Sequence, residues 1–264
     1  MARRALCVGL NDYPLADMDL KGCVNDAGDW AEMLTKHYDF AHDDVTMLLD
    51  SEATKAGIFG ALGNLLAGAT RGDVLVFTNS SHGTYVADAS GDEMLYDEAM
   101  CPYDTKDNLI VDDELRDMFS GLADGVRLTV VSDSCFSGTV TRASDGPTPD
   151  DRRRRFLNPR LLGMRELKDP ITARPRTSQH SESDMHEVLV SGCNDKQFSF
   201  DALIGGRYNG AMTATAMEVL ARNGYDLTYD EFARQLVTDL KASPYDQEPQ
   251  LEGRSDRRSG RAFS

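Results

Sequence analysis

No Cys-x-x-Cys pair occurs in this chain. Its five cysteines, Cys7, Cys23, Cys101, Cys135 and Cys193, are odd in number and widely spaced, which argues against a disulfide framework and a zinc site and points to a reducing compartment. A long hydrophobic run is missing too. The start MARRALCVGL is basic, but its apolar stretch breaks at Asn11 and Asp12, too short for a signal-peptide core or a membrane span. A soluble cytoplasmic protein with no membrane partner is expected. Positive charge is in deficit, with 28 basic residues against 44 acidic and a net charge of −16. That balance repels nucleic acid and anionic lipid and attracts basic peptides and divalent cations; plain solubility is the alternative meaning. There is no internal repeat.

What is present is enough for one large core, since 264 residues fold without staples. Arg4–Leu10 reads as a buried strand, Val24–His37 as a helix, Asp44–Leu49 as a strand and Thr54–Ala69 as a helix capped by threonine. Asp73–Asn79 and Val126–Ser132 are dense in strand formers and flank a helical stretch at Asp112–Leu122. Strands alternating with helices imply an α/β protein with a mostly parallel sheet. Residues 143–185, rich in Pro, Ser, Thr and Arg, read as a flexible linker between a larger region, 1–142, and a smaller one, 186–264. The smaller region resumes with the strand Glu187–Ser191, helices at Ala211–Arg222 and Tyr229–Ala242, and a short segment at Pro249–Gly253.

Chemistry concentrates just after two strands, in Asn79-Ser80-Ser81-His82-Gly83-Thr84 and Ser132-Asp133-Ser134-Cys135-Phe136-Ser137-Gly138. In parallel sheets, functional groups gather at the carboxyl ends of strands, so His82 and Cys135 are placed to meet. A cysteine attacks a carbonyl as its thiolate, and an imidazole takes its proton and later protonates the leaving amine. Gly83 and the backbone at Cys135 can offer N–H groups to an oxyanion. The alternative for each residue alone is a buried packing role.

SSHGT followed about fifty residues later by DSCFSG resembles the histidine and cysteine boxes of metacaspases and bacterial caspase-like proteases. ALCVGLNDYP, LKGCVNDAGD, GDEMLYDEAMCPYD, VDDELRD, SGCNDKQFSFDA, GRYNGAMT and QEPQLEG extend the likeness over nearly the whole chain except the linker. The resemblance implies a caspase-like fold, a central mostly parallel sheet between helices in an α/β/α sandwich, and a monomeric cysteine endopeptidase with His82 and Cys135 as a dyad. It departs at Ser81, where the family has glycine.

The matching pocket positions are Asp26, Ser80 and Asp133; none is basic, which implies protein or peptide substrates cut after Arg or Lys. Helix capping by Asp26 and a solvated turn at Asp133 are the alternatives. The resemblance implies no cofactor for the chemistry but calcium as an activator, held by Asp97, Asp112 and Asp113. Surface acidity or helix capping is their other role. Arg142 stands where the calcium-dependent members carry a further aspartate, and its charge weakens such a site. Arg152, Arg153, Arg154 and Arg155 lie in the linker, where an Arg-specific protease could cut itself; a solvated basic loop is the alternative. Three other readings stay open: a catalytically silent caspase-like scaffold, an effector protease waiting for a small-molecule or protein activator, and a legumain-like or separase-like specificity.

Overall fold

The computed structural model describes residues 1–87, 95–135, 151–164, 174–175, 185–194, 197–245 and 247–264. In chain order the strands are β1 (Arg3–Gly9), β2 (Val45–Leu49), β3 (Val74–Ser80), β4 (Gly83–Ala87), β5 (Leu95–Met100), β6 (Ile110–Val111) and β7 (Arg127–Asp133). Then follow β8 (Arg152–Arg154), β9 (Arg174–Pro175), β10 (Glu187–Ser191), β11 (Phe200–Ile204), β12 (Arg207–Gly210) and β13 (Gln250–Glu252). The α-helices are α1 (Cys23–His37), α2 (Lys55–Leu66), α3 (Asp112–Ser120), α4 (Ala211–Arg222), α5 (Tyr229–Ala242) and α6 (Ser255–Arg258).

Six strands form the central sheet in the order β13-β10-β7-β3-β1-β2. All neighbours are parallel except the antiparallel edge strand β13. Successive side chains on a strand point to opposite faces, so the sheet sorts its residues into two cores. Ala5, Cys7, Val74, Val76, Val131, Val188 and Val190 pack with Trp30 of α1 and with α4 and α5. Leu6, Val8, Leu75, Phe77, Leu128 and Val130 pack with Ile58 and Leu62 of α2 and Phe119 of α3. A sheet covered on both sides explains why β3 is buried along its whole length.

Local signals set the helix starts. Thr54 caps α2 by accepting from the Gly57 N–H, and Thr228 with Glu231 closes a capping box on α5. At Gly9 a Cβ would lie 2.4 Å from the Cys23 carbonyl oxygen, so only glycine lets α1 lie this close to β1.

The register fixes where the site falls. β3 and β7 are parallel neighbours with Ser80 opposite Asp133, so His82 and Cys135 each lie two residues past that matched pair. β10 and β13, from the smaller region, extend the same sheet. The stretch expected to be a flexible linker differs where it is described: Arg152–Arg154 form a strand paired antiparallel with β11, held by backbone bonds that need no apolar pattern. Arg142 and the remainder of that stretch, apart from 151–164, 174–175 and Met185, lie outside the described residues.

Candidate active site

His82 is buried just beyond β3. Its Nε2 lies 2.7 Å from the Met18 carbonyl oxygen. A carbonyl can only accept, so Nε2 carries the proton and Nδ1 keeps its lone pair. That Nδ1 is buried and has no hydrogen-bond partner among the described residues. The Tyr13 ring packs at 5.1 Å from the imidazole, and the Tyr13 hydroxyl accepts from the His82 N–H while donating to the Cys101 carbonyl. Burial pushes the imidazole down to about 4, against the Met18 bond, so the ring is neutral at physiological pH.

Cys135 lies beyond β7 at zero exposure. Its Sγ accepts from the Ser199 N–H and faces the Ser199 carbonyl at 3.4 Å. Cys193 packs beside it and donates to the Gln197 carbonyl at 3.3 Å. Among the described residues, the thiol and the imidazole are not hydrogen-bonded to each other.

One group is held by the loops of both residues. The Arg155 carbonyl oxygen accepts from the Gly83 N–H at 2.9 Å and from the Cys135 N–H at 3.2 Å. Two converging backbone donors on one carbonyl make the arrangement that stabilises an oxyanion.

The Arg155 side chain continues into an acidic pocket, with 0% of its surface exposed. Its Nη2 is 2.6 Å from Asp26 Oδ2 and 3.1 Å from Asp201 Oδ1, and its Nη1 is 3.3 Å from Asp133 Oδ2. Three buried carboxylates stay charged only if other donors share them. Asp133 accepts from the N–H and hydroxyl of Thr213 and from the Ser199 hydroxyl. Asp26 accepts from the Gly210 N–H and Asn209, and Asp201 from the N–H groups of Lys21 and Gly22. Burial pushes Asp26 above the usual carboxylate range, against the pull of Arg155. A Cβ at Gly210 would lie 2.1 Å from Asp133 Oδ2 and 2.6 Å from Arg155 Nη1, so the pocket exists because residue 210 has no side chain.

The neighbours of Arg155 are laid out along the same cleft. Its N–H donates to the Ser199 carbonyl at 2.9 Å, and β8 runs antiparallel to β11 with Arg154 opposite Phe200. Arg153 donates to the carbonyls of Asp17 and Asp19, and Arg154 sits 4.8 Å over the Phe198 ring. Beyond Arg155, the Leu157 N–H donates to the Gly83 carbonyl at 2.8 Å. An extended segment bonded to an edge strand on one side of a residue, with that residue's carbonyl between two N–H donors, is the posture of a peptide substrate.

The structure thus gathers Asp26, Asp133, Gly83, His82 and Cys135 around Arg155. Ser80 differs from expectation: among the described residues the guanidinium's side-chain partners are Asp26, Asp133 and Asp201, and Ser80 instead accepts from the Leu10 N–H through its carbonyl. Arg155 is buried rather than part of an exposed loop, because three carboxylates hold it. Asp201, Met18 and Ser199 went unassigned. Asp201 lies in SGCNDKQFSFDA, a segment that carried the family likeness, while Met18 and Ser199 act through backbone atoms that no side-chain pattern reveals.

Asp97 stands on β5, and Asp112 and Asp113 open α3. The Asp112 carboxylate is largely buried, and among the described residues neither of its oxygens has a partner within ordinary hydrogen-bond geometry. Burial, with Asp113 and Asp97 nearby, pushes it up to about 7. Among the described residues, however, no three acidic, histidine or cysteine side chains converge on a point a metal could occupy.

Residues 3–144 match the family model described as Metacaspase, peptidase C14 domain. The chain belongs to the metacaspase family. This metacaspase is 31% identical to Metacaspase-1A of Aspergillus fumigatus over 283 residues, covering 94% of this chain and 68% of the relative. It is 31% identical to Metacaspase-1 of Cryptococcus neoformans over 287 residues, covering 94% and 62%. Among solved structures, a protein from Geobacter sulfurreducens superposes with a TM-score of 0.76 at 30% identity, covering 100% of this chain and 99% of that one. Caspase-1 from Spodoptera frugiperda superposes at 0.60 with 12% identity, covering 95% and 86%, a likeness of fold alone. The metacaspase therefore has the caspase-like α/β fold and is a cysteine-type endopeptidase.

Proposed function

We propose that this metacaspase cuts after arginine using Cys135 and His82, and that its first substrate is its own Arg155–Phe156 bond. The observation that carries this reading is the seating of Arg155, carbonyl between the N–H groups of Gly83 and Cys135 and guanidinium among Asp26, Asp133 and Asp201.

The thiol turns away from Ser199 and gives its proton to His82 Nδ1, the lone pair left free by the Met18 bond. Sγ then bonds to the Arg155 carbonyl carbon, and the oxygen takes up negative charge facing the two N–H groups. The Arg155–Phe156 C–N bond breaks as Nδ1–H protonates the Phe156 nitrogen. Water, deprotonated by Nδ1, adds to the thioester carbon; the Arg155 carboxylate leaves and the thiol regains its proton. Once Arg155 withdraws, the three carboxylates are open to arginine from another protein. Arginine should be favoured over lysine, because a planar fork addresses several carboxylates at once and an ammonium does not.

The test is the intact mass of purified wild type, Cys135→Ala and Arg155→Ala over time, with and without calcium, followed by fluorogenic peptides ending in Arg, Lys or Asp. A new amino terminus at Phe156 in wild type alone, with peptide cleavage after Arg exceeding Lys, is the expected result. Cutting elsewhere, or cleavage after Asp, overturns the reading. The calcium arm tests the role expected for Asp97, Asp112 and Asp113.

A further inference from the structure

The cleft extends past the bond to be cut. Phe156 is partly buried, with its ring 6.2 Å from Tyr85 at an interplanar angle of 20° and 5.8 Å from Phe198 at 54°. Tyr85 is fully buried and backed by Tyr96 at 5.7 Å, so the aromatic wall stands on a rigid base. The next residue, Leu157, is 2% exposed within the second core. Its N–H donates to the Gly83 carbonyl, and its carbonyl accepts from the buried Thr84 hydroxyl at 2.8 Å.

We propose that Tyr85 and Phe198 form a subsite for an aromatic residue immediately after the cleaved bond, with an aliphatic slot following it. The protease then selects Arg-aromatic-aliphatic sequences rather than arginine alone. This rests on Arg155–Phe156 being the bond that is cut.

Backbone bonds to Gly83 and Thr84 take any residue, so they align the chain without selecting it. Selection on this side falls to what the side chains meet. Offset rings add attraction beyond area burial, and a charged residue at position 156 would lose water against two ring faces. The subsite also borders the nucleophile, because Phe198 packs in one cluster with Cys135 and Cys193. A ring seated there holds the scissile bond against Cys135, so its loss should slow the chemical step rather than only weaken binding.

The test follows self-cleavage after Arg155 in the full chain by intact mass, for wild type and for Phe156→Tyr, Phe156→Ala and Phe156→Asp. Tyrosine should cut within about twofold of wild type, alanine about tenfold slower and aspartate slower still. Tyr85→Leu should slow wild type in the same way, and Tyr85→Leu combined with Phe156→Ala should be little slower than the slower single variant, because both remove one contact. If thermal melting shows that Tyr85→Leu does not fold, Phe198→Leu repeats the cycle. Equal rates for Phe, Ala and Asp, or fully additive effects, overturn the subsite and leave cleavage after Arg155 standing. No cut after Arg155 in wild type removes the underlying reading and the subsite with it.

Discussion

A histidine buried as the neutral ring has a consequence for stability as well as for chemistry. The His82 imidazole titrates at 6.5 when exposed and at about 4 in the folded protein, so the unfolded chain takes up its proton first. Stability from this residue is complete above about pH 6.5 and is lost as the pH falls through 4, by ~3 kcal/mol in all. Replacing His82 with Gln, which can still donate to the Met18 carbonyl, removes that term. Urea denaturation at pH 7 and pH 4.5 should show wild type losing stability relative to the Gln variant on acidification; parallel losses would mean the ring is charged in the fold. At this scale the sequence pointed to His82, Cys135, Asp26 and Asp133, the residues to which the proposed function gives the chemistry and the arginine pocket. It hid those that act through a backbone carbonyl or N–H, and it matched Ser80 to a pocket where the described side-chain partners of the guanidinium are carboxylates.

Most elements were legible because their signals are local or periodic. Tyr229–Ala242 and Glu187–Ser191 lie where the sequence put them, one through a capping box and apolar stripe, the other through β-branched residues. β8 was not legible, since three successive arginines carry no apolar alternation and are held by the backbone of β11 and by scattered acceptors. Those acceptors rank the arginines they hold. Arg152 and Arg153 bond to the carbonyls of Pro244 and of Asp17 and Asp19, and Arg152 also lies 5.5 Å from the Phe200 ring. Each is a contact of ~1 kcal/mol or less. Arg155 meets three buried carboxylates. Alanine at 152 or 153 should therefore slow self-cleavage by about fivefold at most, whereas alanine at 155 should stop it, both read from the intact-mass time course. Comparable losses at 152, 153 and 155 would mean that recognition is spread along β8.

The site belongs to neither region alone. Asp26, His82, Asp133 and Cys135 come from one side of β8, and Ser199, Asp201, Asn209, Gly210 and Thr213 from the other. β7 and β10 pair across five residues between the two regions, and α1 of the first packs in one core with α4 and α5 of the second. Cutting after Arg155 leaves all of these contacts in place. The two fragments should co-elute on gel filtration in native buffer and separate only in denaturant; separation in native buffer would show that β8 itself joins the regions. If Arg155–Phe156 is the bond whose cutting activates the protease, its seating in its own chain's pocket also sets the kinetic order of activation. A bond already held against its nucleophile breaks in a unimolecular step, so dilution leaves its half-time unchanged. On the proposed reading each molecule carries its own timer, and the amount of active protease follows the age of the population rather than its concentration.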